Sequence, residues 1–346
     1  MLFLCDSFGC FDSISLDICS KIYLVKGPKH EQTEGDVMSA VSPFKKFFLW
    51  VVVPLFLTGC LAIYGGKDPV SPEGQLVDYL YVFEGNKNNR TAAVFRKPAS
   101  AAGTSAMTSA KLPAVVVLHD GGGWSTGRTR QYADFFTARG YATLEPRLYV
   151  DAKVQRTFIK DLASLYGALD YLVDQPDIDR DHIYVMGMSA GAMLAILAKA
   201  QMANEMFNQS DSTFRAAASL YPVCWYFDDT IRGDSPALFS EFSAADLQRW
   251  QRMPIRLFIP EFDDYDDRDV KVCDRFIAKI QDKSARSTFS VMLYPNATHG
   301  WDHGRTYSFQ TGAGCKGRGC VNTNRSNPEI TKQGYEDILD FFNQHR

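Results

Sequence analysis

Residues 185–194 read VMGMSAGAML, which sets Ser189 between two glycines, each two residues away, where an apolar run meets an Ala/Leu-rich one. A serine hydroxyl attacks poorly until a base takes its proton, and that base needs an acid to orient it. In a strand-turn-helix setting the acid and then the base follow the serine along the chain. Asp263, behind the apolar run IRLFIP, and His299, behind FSVMLYP, stand in that order. The chemistry open to this trio is nucleophilic acyl transfer. The alternative is a structural turn with an idle serine.

Other residues compete for each role. His303, four residues beyond His299, is the one rival base, since His119 precedes the serine, His182 opens a strand and His345 is terminal. Asp264, Asp266, Asp267 and Asp269 crowd the same loop as Asp263, and most are expected to be solvated. A calcium loop would need a glycine and a closing Glu at fixed offsets, which are missing. An oxyanion needs backbone donors. LHDGGGW, residues 118–124, resembles the HGGG-type loop of lipases and esterases. Gly121 N–H and Ala190 N–H, the latter at a helix N-terminus with unpaired amides, are the expected pair. A phosphate-binding loop is the competing reading, but no G-K-[ST] follows. The chemistry calls for no cofactor and no metal.

The elements that must hold these residues alternate. Leu76–Phe83 and Thr91–Phe95 read as strands joined by a turn-rich GNKNNR, forming an antiparallel edge. Residues 99–110, small and polar, read as a surface loop. Then come strand Ala114–Leu118, helix Arg130–Ala138, strand Ala142–Leu144, helix Phe158–Val173, strand Ile183–Met186, helix Ala190–Ala203 and strand Ala216–Tyr221. After residues 224–253 the rhythm resumes with strand Ile255–Pro260, helix Val270–Ile280, strand Thr288–Tyr294 and a closing helix from Pro328 to Phe342. Strands and helices at this interval predict one α/β domain, a mostly parallel sheet with helices on both faces. Residues 224–253, with Trp225, Tyr226, Phe227, Phe239, Phe242 and Trp250, are either a lid that forms an acyl or aryl pocket or simple packing. Residues 305–327 are the second expected specificity element, a loop beside His299.

The chain of 346 residues is 46% hydrophobic and 13% aromatic, ample for a large core, and its net charge of −3 offers no field for nucleic acid. From Met38 it reads MSAVSPFKKFFLWVVVPLFLTGC: Lys45 and Lys46, an apolar run too short to span a bilayer, then Cys60. LTGC resembles the lipobox of bacterial lipoproteins, which implies Cys60 as a lipid anchor in the cell envelope. Leu61 implies the periplasmic side of the outer membrane. A plain signal peptide or a tethered N-terminus is the alternative. Expected boundaries are a non-native extension over 1–37, a signal peptide over 38–59, a tether over 60–74 and a hydrolase domain over 75–346. Four cysteines then remain, an even number that suits an oxidising compartment. The short KGRG spacer pairs Cys315 with Cys320 and leaves Cys224 with Cys273, with no zinc spacing. The longer bridge is expected to brace the Asp263 loop, the shorter to act mainly on local loop order.

From about Leu112 the chain resembles the dienelactone hydrolase family of α/β-hydrolases through LHDGGGW, FFTARGYATLEPRLY, GMSAGA, IPEFDDYDD and YPNATHGWD. The resemblance implies an α/β-hydrolase fold and a triad of Ser189, Asp263 and His299. The sequence departs from that family's pattern in three places: archetypal members use a cysteine nucleophile, a Glu where this chain has Asp120, and a Gly where it has Pro260. Serine shifts the expectation toward a small-molecule carboxylic ester as substrate. Peptidase or thioesterase activity, or a non-catalytic lipid-anchored binding protein, are the alternatives. Oligomeric state is left open.

Overall fold

The computed structural model describes residues 74–99, 111–148 and 157–346. The expected extension, the signal peptide, the tether up to residue 73 and residues 100–110 of the polar loop lie outside those residues, as does Cys60. Two antiparallel strands come first, β1 (Gln75–Phe83) and β2 (Asn86–Arg96). Their turn is tighter than expected. Glu84 (φ 49°) and Gly85 (φ 74°) alone make it, and Phe83 pairs with Asn86. Positive φ at both turn residues matches the twist of the flanking strands, so NKNN is drawn into β2 rather than a loop.

The remaining order is β3 (Leu112–Leu118), α1 (Arg128–Thr137), β4 (Ala142–Pro146), α2 (Phe158–Val173), β5 (Ile178–Met188), α3 (Ala190–Leu197), α4 (Gln201–Phe207) and β6 (Ala217–Leu220). Then follow α5 (Trp225–Thr230), β7 (Ile255–Phe262), α6 (Val272–Ala278), α7 (Lys283–Arg286), β8 (Phe289–Thr298), β9 (Tyr307–Thr311), β10 (Cys320–Asn324) and α8 (Pro328–Asn343). Eight strands form one sheet in the order β1-β2-β4-β3-β5-β6-β7-β8, parallel from β4 to β8. β9 and β10 form a separate antiparallel hairpin within a stretch read from sequence as loop.

Alternation along the strands feeds two cores. Val116 and Leu118 of β3 join Val185, Leu257 and the apolar faces of α2 and α3 on one side. Val115 and Val117 join Met186, Phe258, Tyr132, Phe136, Ile338 and Phe342 on the other, under α1 and α8. Strands buried on both faces read as continuous apolar runs. Two helix ends are capped as their sequences direct: Thr157 Oγ1 accepts the Lys160 N–H, and Asn327 Oδ1 accepts the Ile330 N–H ahead of Pro328.

One expected helix divides. Ala190–Ala203 breaks into α3 and α4 because the chain between them pairs with residues 249–251: Gln251 N–H reaches Lys199 O (2.9 Å), and Gln201 N–H reaches Arg249 O (2.8 Å). The fully buried Lys199 donates to the Gln251 carbonyl, to Met253 O (2.6 Å) and to Thr288 Oγ1 (2.7 Å). Tertiary hydrogen bonds here override a helical pattern.

Candidate active site

Four parallel strands each end one residue before a residue singled out above. β3 delivers His119 and the glycine loop, β5 Ser189, β7 Asp263 and β8 His299. The carboxyl edge of an open parallel sheet is where such folds bind ligands.

Ser189 caps α3 with φ 52° and ψ −110°, a strained backbone for a residue with a Cβ. Its N–H is fixed on Leu220 O of β6 at 2.9 Å. Both flanking glycines are sterically required. A Cβ on Gly187 would stand 2.1 Å from Gly191 O, and one on Gly191 would stand 2.6 Å from His119 O. The turn is therefore packed backbone against backbone, and the same contact seats the loop after β3 beside the start of α3.

The structure brings Ser189, His299 and Asp263 together. His299 Nε2 lies 2.8 Å from Ser189 Oγ, and His299 Nδ1 lies 2.8 Å from Asp263 Oδ2. The carboxylate accepts only, so Nδ1 carries the proton there and Nε2 presents its lone pair to the serine hydroxyl. Asp263 Oδ1 accepts the Tyr265 N–H (2.9 Å), which locks the carboxylate. The imidazole is walled by the Tyr265 ring at 4.3 Å and the edge-on Tyr221 ring at 4.9 Å, and both members of the pair are buried.

Ala190 N–H is the first amide of α3, one of those a helix leaves unpaired. In the other loop, Asp120 Oδ1 accepts Gly122 N–H (2.9 Å) and Asp120 O accepts Gly123 N–H (3.1 Å), leaving exposed Gly121 between them. The other Asp120 oxygen pairs with buried Arg128 of α1, so this carboxylate shapes the glycine loop.

His303 does not meet the serine. Its Nε2 sits 3.5 Å from Asp120 Oδ2, while Nδ1 accepts from Tyr307 OH and faces Asn324 Nδ2 at 3.2 Å. Burial, with Arg128 nearby, holds this imidazole down to about 4. Beside it, buried Asp302 accepts Tyr132 OH (2.8 Å) and Tyr221 OH (2.7 Å), pinning the ring that packs on His299. Burial and the Asp302 charge push the Tyr221 phenol well up. Sequence reasoning gave Tyr221, Tyr265 and Asp302 no role. Asp302, within THGWD, was the one that its motif could have flagged.

The acid loop corrects an expectation. Asp264 and Asp266 are buried at 8% and 5% exposure, not solvated. Asp264 Oδ1 accepts Arg268 Nε (2.9 Å) and Oδ2 accepts Thr323 N–H (3.0 Å). Asp266 accepts the N–H groups of Cys224 (3.0 Å) and Trp225 (2.9 Å), joining the loop to α5. Burial, then the Asp263 charge, raises the Asp266 carboxyl well above the ordinary range. Both disulfides form as paired from sequence, with Cα separations of 5.1 Å for Cys224–Cys273 and 5.9 Å for Cys315–Cys320. Cys224, Cys273 and Asp266 cluster closely, but sulfurs bonded to each other are no thiolate ligands.

Of the aromatic residues in 224–253, Phe227, Phe239 and Phe242 are core, in a run of edge-on and tilted ring contacts that ends on Phe276. Trp250 packs on Phe276 and Phe289. Packing accounts for these four. Trp225 and Tyr226 stack on each other, and Trp225 meets Gly317 of the β9–β10 hairpin. Among the described residues no helix is long and apolar enough to cross a membrane.

The BD-FAE family model matches residues 104–224, which include the glycine loop and Ser189 but neither Asp263 nor His299. No curated protein matches the sequence. Among solved structures, Thermogutta terrifontis esterase 2 phosphoramylated by tabun is similar at 16% identity and TM-score 0.56, over 80% of this chain and 96% of that one. A candidate dienelactone hydrolase from Klebsiella pneumoniae subsp. pneumoniae is similar at 14% identity and TM-score 0.52, over 78% and 99%. Pyrococcus horikoshii acylaminoacyl peptidase is similar at 14% identity and TM-score 0.51, over 82% of this chain but 43% of that one. With the mostly parallel eight-stranded sheet and its two helical layers, these likenesses establish that the chain has the α/β-hydrolase fold.

Proposed function

We propose that the protein is a serine hydrolase that cleaves small carboxylic esters through an acyl-enzyme. The observation that carries this is the unbroken line of 2.8 Å contacts from Ser189 Oγ through His299 to Asp263. Ser189 Oγ attacks the ester carbonyl carbon as His299 Nε2 takes its proton, and Asp263 stabilises the imidazolium through Nδ1–H. Gly121 and Ala190 N–H groups receive the oxyanion, each worth about 3 kcal/mol in the transition state. His299 then gives its proton to the leaving alcohol oxygen. A water then attacks the acyl carbon as the same nitrogen takes its proton; the bond to Ser189 Oγ breaks, the imidazolium returns the proton to Oγ, and the acid leaves.

Thermogutta terrifontis esterase 2 supports this reading: it has a propionate-bound structure and is phosphorylated by paraoxon. A fluorophosphonate probe tests the reading here. Labelling of the wild type, its loss in Ser189→Ala, and turnover of short-chain esters are expected; an unlabelled wild type sinks the proposal and favours a binding role. Hydrolysis of acyl-peptides or thioesters in preference to oxygen esters would reassign the substrate class.

We further propose that the chain is exported and anchored through Cys60. Two disulfides support an oxidising compartment. Mass spectrometry of the mature N-terminus in a Gram-negative host tests it. An unlipidated wild type, identical in mass to Cys60→Ser apart from the substituted atom, would remove the anchor.

A further inference from the structure

The Cys315–Cys320 bridge closes the β9–β10 hairpin at the end that meets the acid loop. Cys315 N–H donates to Asp264 O at 2.7 Å, and Lys316 N–H donates to Tyr265 O at 3.0 Å. These two donors lie on the residues of the hairpin with the least natural backbone for their type: φ is 52° at Cys315 and 54° at Lys316. Left-handed backbone is disfavoured for any residue with a Cβ, and consecutive residues there persist only when something imposes it. Gly317 and Gly319, at φ 76° and 80°, complete the short ring. Tyr265, held from behind by Lys316, gives its own N–H to Asp263 Oδ1 and its ring to His299. Thr323 N–H to Asp264 Oδ2, Lys316 to Asp269 (2.8 Å) and Arg318 to Asp267 (2.7 Å) dock the hairpin along the same loop.

We propose that the Cys315–Cys320 ring is a positioning device for the catalytic acid: it imposes the left-handed backbone at Cys315 and Lys316 that aims two N–H groups at Asp264 and Tyr265. This rests on reading Ser189, His299 and Asp263 as the catalytic trio. Opening the ring frees Cys315 and Lys316 to return to ordinary backbone angles. Their N–H groups then swing off the acid loop, and Tyr265 loses its backing. The bridge is open to reagents. Cys315 and Cys320 are half-buried next to exposed Gly317 and Arg318, whereas Cys224 and Cys273 are fully buried.

A mild dithiol therefore reduces Cys315–Cys320 first; each cysteine sulfur gains a proton while the reagent closes to its own disulfide. Alkylation mapping of the full-length protein identifies which pair has opened. Expected on selective reduction are a fall in kcat for p-nitrophenyl acetate of about tenfold, a KM unchanged within about twofold, and recovery on reoxidation. Amide exchange across 263–268 should quicken. Cys315→Ala with Cys320→Ala should cost wild type about tenfold in kcat but under about twofold in an Asp263→Asn background, since the lost interaction runs through that carboxylate. Full kcat after selective reduction, equal losses in both backgrounds, or unchanged exchange each overturns the inference. If the wild type shows no Ser189-dependent hydrolysis, the functional reading fails instead, and the exchange measurement still decides whether the ring orders the loop.

Discussion

The serine turn and the acid loop hold their residues by opposite means. Ser189 is set by main chain packed on main chain: Gly187 meets Gly191 O, Gly191 meets His119 O, and the Ser189 N–H is held by Leu220 O. The loop that carries Asp263 is set by side chains and cross-links. Asp264 is joined to Thr323 and Cys315, and Asp266 to Cys224 and Trp225, with a disulfide behind each joint. A site built on steric necessity tolerates little substitution. One built on cross-links can be loosened by degrees without losing the fold.

That contrast can be broken first at the chemistry. Ser189→Ala and His299→Ala should each lower ester turnover roughly 10⁴- to 10⁶-fold, as expected for groups that act as a unit. His303→Ala, which removes a ring bonded to Tyr307 and not to the serine, should retain most of the kcat. Steady-state rates on a short ester check both, and an inactive His303→Ala with an active His299→Ala would reverse the assignment. Within the acid loop, Asp263→Asn should cost roughly 10³- to 10⁴-fold by inverting the Nδ1 partner. Asp264→Asn, one joint removed, should cost about tenfold or less. Equal losses would mean that the loop fails as a whole.

Removing Cys224–Cys273 should lower unfolding free energy by about 4 kcal/mol on the chain-entropy model, against about 2 for the six-residue Cys315–Cys320 ring. Denaturant titration of the two double Cys→Ala variants should rank them so. The smallest effect concerns acid. His303 titrates near 4 folded and about 6.5 unfolded. The unfolded chain takes the proton first as pH falls, so stability present above pH 6.5 is lost on the way down to 4. Between pH 7 and pH 5 the loss should be about 1–2 kcal/mol, and His303→Gln should abolish that component in chemical denaturation.

How much of this the sequence discloses follows the same division. G-x-S-x-G, the strand-helix alternation and the order Ser189, Asp263, His299 are local patterns, and the sheet runs as they predict. The disulfide partners were legible because few cysteines remained to pair. The β9–β10 hairpin was not: Tyr307–Thr311 and Cys320–Asn324 are short, half-exposed and separated by a glycine-rich segment, so their pairing depends on docking against the acid loop. Asp264 and Asp266 looked like solvated surface because charge argues for exposure until the chain presents buried N–H donors. Tyr221 read only as the last residue of a strand; its φ of 40° and its bond to Asp302 arise where β6, α1 and the His299 loop converge.

The break between α3 and α4 bears on the order in which the chain assembles. An ammonium leaves water favourably only when its acceptors are already in place. Lys199 draws on the Gln251 carbonyl, Met253 O and Thr288 Oγ1, which come from a late segment of the chain and the threshold of β8, and burial brings it down to about 7. Its desolvation therefore belongs after the folding barrier, when both sides of the sheet's last strands have closed around it. Stopped-flow kinetics should then find Lys199→Met folding at an unchanged rate and unfolding faster, a residue that serves persistence of the native state and not its formation.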